Sequence, residues 1–499
     1  MDTNETRPIP KQIMPQTDAR LDSSLTAAAR SSRSILGTQA FRLAVRVCGT
    51  VTLARLISPL DYGIFGMAAT VHGLAYVFQD FGLATVTLRK ADLTEADRNA
   101  LFWLNLVLGG MLTAAVATMG FVVAAFFREP SLRVLLPVMG ITFLINGGHT
   151  QLRAQLAREH RFTDLNHIEI GAFTASTATA IVVAWMGGGA WALATMMLIA
   201  EMAIAVGVWR KQAWRPAPFP RSLEFLAFLP VGARLSANDG LRYVQRNIDQ
   251  FVVGRWLGAG ALGVYGRAAQ VTSLPIVYLA DPLANLAVST LRHLSGSTDG
   301  TRVFWRRMVN DLAWVTLPTA VIFACVPKEL LEVLLGARWA SGAGVLLGLS
   351  VGITLLPVQM ACGWLFLATG SSRRLLASSF VNSTVVVVTC ALMRNAGMGK
   401  LAMGVGLANA ACAALSIAFI RPSDPVTPSD VFSALARPLI ATAALAVVML
   451  VALNLCGASS ALPRLCLGGA VSCAWVGLIW LIWPRARAEW REHFLWARR

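Results

Sequence analysis

Apolar runs long enough to cross a bilayer recur from one end of this chain to the other, and that feature decides most of what it can become. An α-helix rises 1.5 Å per residue, so about 20 apolar residues bridge the hydrocarbon core. The runs and their polar breaks give fourteen candidate helices, at 34–57, 62–88, 99–127, 131–152, 167–186, 190–209, 224–257, 261–291, 308–326, 341–369, 375–393, 401–420, 434–455 and 464–483. Lipid offers no partner to a free backbone N–H or C=O, so segments of this kind fold as helices. The predicted class is an all-α polytopic membrane protein of about 14 transmembrane helices. No window between the runs is polar and long enough to form a soluble domain.

Charge gives a second, independent reading of the same pattern. With the N-terminus placed in the cytoplasm, inner segments carry about four times as many Lys and Arg residues as outer ones, and the bias persists through the alternation. An odd helix number would invert its second part, so both ends are expected inside. The net charge of +17 is then an orientation signal with some attraction to anionic headgroups, and no nucleic-acid partner is expected. Residues 1–33 carry Pro8, Pro10 and Pro15 among polar residues and lack the apolar core of a signal peptide, so a cytoplasmic arm is expected there. The eight cysteines form no CxxC pair and the six histidines are scattered, so no metal site and no cofactor are predicted. Cys456 and Cys466 flank one short outer loop, where a disulfide is one alternative to two free thiols.

Residues 42–77 align without a gap on 242–277. The identities include Arg42/Arg242, Arg46/Arg246, Arg55/Arg255, Gly63/Gly263 and Gly66/Gly266. The offset lays the first span over the seventh and the second over the eighth. Both copies start on the same side, so the halves are parallel repeats related by an axis along the membrane normal. The predicted organisation is an N-terminal arm over 1–33, a six-helix bundle over 34–222, a second over 223–421, and two further helices with a basic tail over 422–499.

Arginines inside apolar spans are costly, by roughly 2.5–3.5 kcal/mol each at the helix centre. Arg42 and Arg46 share one helix face at depth, and Arg242 and Arg246 repeat that geometry. Arg55 and Arg255 lie near the outer helix ends, within snorkelling reach. Two readings of the deep four stand side by side. One is ion pairing, with Asp239 and Asp249 at helical spacing and Asp80 and Asp281 in neighbouring spans. The other is a cationic cavity wall for an anionic ligand, for which the guanidinium fork suits phosphate oxygens. Arg42, Arg46, Arg242 and Arg246 are therefore the candidate substrate-binding residues, and Asp80, Asp239, Asp249, Arg267 and Asp281 the candidate cavity, gating or ion-coupling residues. His72, Gln79, Glu169 and Glu201 read more simply as helix-packing hydrogen-bonders.

The stretch ISPLDYGIFGMA at 57–68, the FQDFGL helix end at 78–83 and the acidic-basic loop before FWLN resemble the polysaccharide-transporter (Wzx-type) branch of the multidrug/oligosaccharidyl-lipid/polysaccharide exporter superfamily. RNIDQFVVGRWLGAGALGVYGRAAQVTSLP at 246–275, REHRF at 158–162 and LLGARWASGAGVL at 334–346 are similar to it as well. The resemblance covers about 35–420. It implies a V-shaped, MATE-like transporter that flips polyprenyl-pyrophosphate-linked oligosaccharide across the bacterial inner membrane for exopolysaccharide, capsule or O-antigen assembly. It further implies membrane lipid, a polysaccharide polymerase and a chain-length regulator as partners. A multidrug antiporter of the same superfamily would call for a committed acidic pocket. A membrane polymerase or ligase, an enzyme, would call for a large outer loop or paired acids. Neither pattern is present, and no Walker-type loop marks ATP as the driver.

Overall fold

The computed structural model of the chain describes residues 45–79, 87, 94–219, 240, 243–421, 424–455 and 461–482. It falls into two units, Met1–Thr52 and Leu53–Arg499. In the first, residues 45–52 are helical. The second begins with a helical stretch over 53–56 and continues through α1 (Pro59–Val77), α2 (Glu95–Phe127), α3 (Leu132–Gly147), α4 (Thr150–Arg158), α5 (Phe162–Trp185) and α6 (Ala190–Lys211). A helix over 243–252, α7, runs through a π turn at Val253–Leu257 into α8 (Gly258–His293). There follow α9 (Thr298–Cys325), α10 (Pro327–Leu334), a 3₁₀ stretch at Ala337–Gly342, α11 (Ala343–Thr354), α12 (Leu356–Ala368), α13 (Ser372–Met393), α14 (Met398–Ala418), α15 (Pro428–Leu455) and α16 (Ala461–Ile482). No strand occurs among the described residues.

Among the described residues seven helices are long and apolar enough to cross a membrane, and nine spans result if each of two bent pairs counts as one. The bent pairs have local causes. Pro357 at the start of α12 has no N–H to donate and its ring crowds the preceding turn, so the predicted span 341–369 turns by 45° at Leu355. Gly147 and Gly148 loosen the ladder between α3 and α4, which meet at 41°. Trp209 of α6 donates its indole N–H to the Gly148 carbonyl at 3.0 Å, which satisfies one acceptor at that bend. Two elements differ from expectation in their bounds. α2 begins at Glu95, because Thr94 and Asp97 form a reciprocal capping box that fixes its start. The short α10, begun by Pro327, lies between two predicted spans.

α1 and α8 are not among those seven helices. They cross each other closely. A Cβ on Gly63 would stand 1.7 Å from the carbonyl oxygen of Ala259, and one on Gly263 would stand 1.8 Å from that of Pro59. Only a residue without a side chain lets the two backbones come this near. Around the crossing Ile57, Met67, Leu262, Tyr265, Ala268 and Trp339 belong to one continuous buried cluster.

Candidate functional site

A cavity of about 240 Å³ lies beside the α1–α8 crossing, and its described lining comes from α1, α7 and α8. From α1 come Tyr62, Phe65, Gly66, Ala69 and Thr70. α7 adds Tyr243, Asn247 and Gln250. α8 closes the cavity with Leu262, Gly263, Gly266, Arg267 and Gln270.

The two long walls begin differently at equivalent places of the repeat. Ser58 caps α1, its hydroxyl oxygen accepting the Asp61 N–H at 3.1 Å, and Pro59 is pre-set for the first turn. That places Tyr62 one turn inside the helix. The second wall starts after the π turn with Gly258, whose φ of +86° favours glycine. The repeat thus sets the frame, and the polar groups within it differ. Where α1 has Met67, which is buried, α8 has Arg267, and where α8 has Leu262, α1 has Tyr62.

Arg267 is the cation of this cavity. Its guanidinium carbon lies 4.1 Å above the centroid of the Tyr62 ring, and Nη1 donates to Oε1 of Gln270 at 2.5 Å. Among the described residues no carboxylate pairs with it. A cation over an aromatic face gains about 0.5–2 kcal/mol but keeps its full charge. Charge-assisted hydrogen bonds from a guanidinium to an oxyanion are roughly twice as strong as neutral ones and come in pairs. The arrangement therefore favours an anion. Beside the apolar Phe65, Ala69 and Leu262, the wall carries amide and hydroxyl groups: Tyr243 donates to the Thr70 carbonyl at 2.9 Å, Asn247 to the Tyr243 carbonyl at 2.8 Å, and Gln250 to Asn247 at 3.4 Å. Neutral donors and acceptors of this kind suit sugar hydroxyls.

Arg42, Arg242, Asp80 and Asp239 lie outside the described residues, as does Cys456. Arg46 is exposed in the first unit, and Arg246 is exposed on α7 without lining the cavity. Asp249 is buried at 8% exposure, and it accepts from Tyr265 at 2.7 Å and from the Gln250 N–H at 2.8 Å. It makes no ion pair with Arg246, so the pairing that their spacing allows is not the one adopted. Asp281 lies within α8. Cys466 is exposed. Among the described candidate residues Arg267 lines the cavity, and Arg46, Arg246 and Asp249 do not. Tyr62, Tyr243, Asn247, Gln250 and Gln270 were not singled out from the sequence. Tyr62 nonetheless falls in the DYG motif, and the other four lie in or near the 246–275 stretch that carries the family resemblance.

The residues read as packing groups do pack. His72 bonds Thr142 at 2.8 Å and stacks on Phe143, and Gln79 donates to the Phe143 carbonyl at 3.1 Å. Glu201 meets Nε2 of His149 at 3.0 Å and the Asn146 amide at 3.3 Å, while Glu169 pairs with Arg153. No group of His, Cys, Asp and Glu suited to a metal occurs among the described residues.

The helical bundle of this chain has the fold of two solved membrane transporters. Its likeness to the lipid II flippase MurJ in an inward closed conformation has a TM-score of 0.72 at 11% identity, covering 89% of this chain and 99% of that one. Its likeness to an inward-facing multidrug resistance MATE family transporter has a TM-score of 0.60 at 14% identity, covering 79% and 94%. The chain belongs to the Polysaccharide biosynthesis protein family, matched over residues 52–343. Among curated relatives it is 24% identical over 322 residues to the lipopolysaccharide biosynthesis protein WzxC of Escherichia coli, a match spanning 63% of this chain and 65% of WzxC. It is 24% identical over 299 residues to the teichuronic acid biosynthesis protein TuaB of Bacillus subtilis, spanning 59% and 62%. The chain thus spans just under two thirds of the length of these relatives.

Proposed function

We propose that this protein is a flippase that carries polyprenyl-pyrophosphate-linked oligosaccharide repeat units from the cytoplasmic to the periplasmic leaflet of the bacterial inner membrane. The observation that carries the proposal is Arg267, a cation without a carboxylate partner among the described residues, in a cavity between repeat-related helices. The diphosphate supplies the missing anion, and the amide wall meets the sugars. A cationic drug would be repelled by the same guanidinium, which disfavours the multidrug antiporter reading. The naming of WzxC and TuaB for lipopolysaccharide and teichuronic acid biosynthesis agrees with a polymer-building role.

In this reading fourteen helices cross the membrane, as bundles over 34–222 and 223–421 plus two helices within 422–499, and both ends are cytoplasmic. Arg42, Arg46, Arg242 and Arg246 are further candidate substrate-binding residues, and a polymerase and chain-length regulator act downstream. A cavity of about 240 Å³ is smaller than the 300–1,000 Å³ of ordinary small-molecule sites, so the bundles move apart to admit the headgroup. The test is replacement of Arg267 by Ala and by Lys, followed by measurement of lipid-linked intermediates on the cytoplasmic leaflet. Accumulation with loss of polymer is expected for Arg267→Ala. Normal polymer from a stably expressed Arg267→Ala protein would remove the assignment.

A further inference from the structure

Tyr62 stands between two side chains from later in the chain. Arg267 covers one face of its ring at 4.1 Å, and Trp339 meets it edge-on with centroids 5.3 Å apart and planes at 75°. Trp339 in turn donates its indole N–H to the Ala54 carbonyl at 3.0 Å, one of the last carbonyls of the helical stretch that ends at 56. Next to it, Arg55 donates to the Val333 carbonyl at 3.2 Å. Every link in the series Arg267, Tyr62, Trp339, Ala54 joins residues before 63 to residues after 262. Tyr62 and Trp339 are 3% and 1% exposed, so water does not stand in for either contact.

We propose that Tyr62 is a positioning residue that ties the place of the Arg267 guanidinium to the Trp339–Ala54 contact, so that an anion drawing Arg267 off the ring releases that contact. The proposal rests on the reading of Arg267 as the anion site and adds how occupancy of that site is felt elsewhere. A ring face offers a guanidinium one weak, non-directional attraction, whereas a diphosphate offers paired charge-assisted hydrogen bonds, so the ligand wins the competition. Once Arg267 leaves, Tyr62 loses the group that backs it against Trp339. Trp339 lies in the 3₁₀ stretch that leads directly into α11, so its release frees the start of that helix. A ligand shifts a conformational equilibrium only through contacts that differ between the two states, and this stack is such a contact. The repeat supplies the comparison: the places equivalent to Tyr62 and Arg267 hold Leu262 and Met67, so the stack occurs once.

The test uses the full chain in lipid nanodiscs, cysteine-free except for spin labels at Leu60→Cys and Arg338→Cys, both exposed positions flanking the stack. A narrow label-to-label distance is expected, widening when inorganic pyrophosphate is added. Arg267→Ala and Tyr62→Leu are expected to be wide with no ligand present, and Tyr62→Phe, which keeps the ring, to restore the narrow distance and the response. Pyrophosphate affinity should rise roughly two- to tenfold in Tyr62→Leu, because the ligand no longer has to draw Arg267 off the ring. A narrow, unchanged distance in both ligand-free variants overturns the proposal even where pyrophosphate binds, and so does Tyr62→Phe behaving like Tyr62→Leu. Failure of the wild type to bind pyrophosphate, with the ligand-free variants wide, overturns the anion site and leaves the stack standing.

Discussion

Gly63 and Gly263 occupy equivalent places in the repeat, and each faces the backbone carbonyl four residues before the other, Gly63 that of Ala259 and Gly263 that of Pro59. The contact is its own mirror under an offset of 200, as expected where two helices cross on an approximate two-fold axis. What a methyl group meets on either side is backbone, which has no rotamer to give way.

Gly63→Ala and Gly263→Ala are therefore each expected to force α1 and α8 apart and to destabilise the protein by about 1–3 kcal/mol or more. Gly66→Ala is expected to be tolerated, because its Cβ would meet only the Leu262 side chain at 3.4 Å. Thermal unfolding in detergent, followed by loss of the monodisperse elution peak, separates the two outcomes.

Tyr265→Phe is expected to cost more stability than Asp249→Asn. The first leaves the buried Asp249 with only the Gln250 N–H, whereas the asparagine amide can donate to the Tyr265 oxygen instead. Losing one partner of a buried polar group costs about 1–3 kcal/mol. Polymer output should survive Asp249→Asn, since this carboxyl does not line the cavity. Its loss in a stably expressed variant would return Asp249 to a coupling role.

Glu201→Gln should be nearly silent in a thermal melt, because an amide oxygen still accepts from Asn146 and His149. Glu201→Leu strands both partners, and His149 is 1% exposed, so water cannot replace the acceptor. A loss of about 1–3 kcal/mol for each stranded group is expected.

Polymer output should fall further in Arg267→Ala than in Arg246→Ala. Arg246 is exposed and does not line the cavity, so bulk solvent screens its attraction for a ligand far more than that of the half-buried Arg267. Equal losses in variants of equal abundance would put the anion site nearer α7 than the cavity does.

Arg246 and Arg267 also show where a reading of one chain stops. Depth along a helix follows from counting residues, and both arginines were marked by it. Which way each side chain faces depends on the neighbours that pack against the helix. Asp249 makes the same point: helical spacing offered it Arg246, and the fold turned it to Tyr265. Tyr62 and the amide residues carry no charge, so hydropathy and charge patterns passed over them.

The membrane class, the all-helical fold and the repeat of 42–77 at 242–277 were determined by the sequence alone, because a bilayer acts on the length and polarity of each segment locally. The bends at Gly147–Gly148 and Leu355 were local too, since glycine and proline act on their own turn. Only the tertiary structure decided that equivalent glycines meet across the crossing, that Arg267 rather than its repeat partner Met67 points into a cavity, and that Tyr62 lies between Arg267 and Trp339. Those contacts join residues some 200 and more positions apart, and their choice depends on the packing of whole helices against each other.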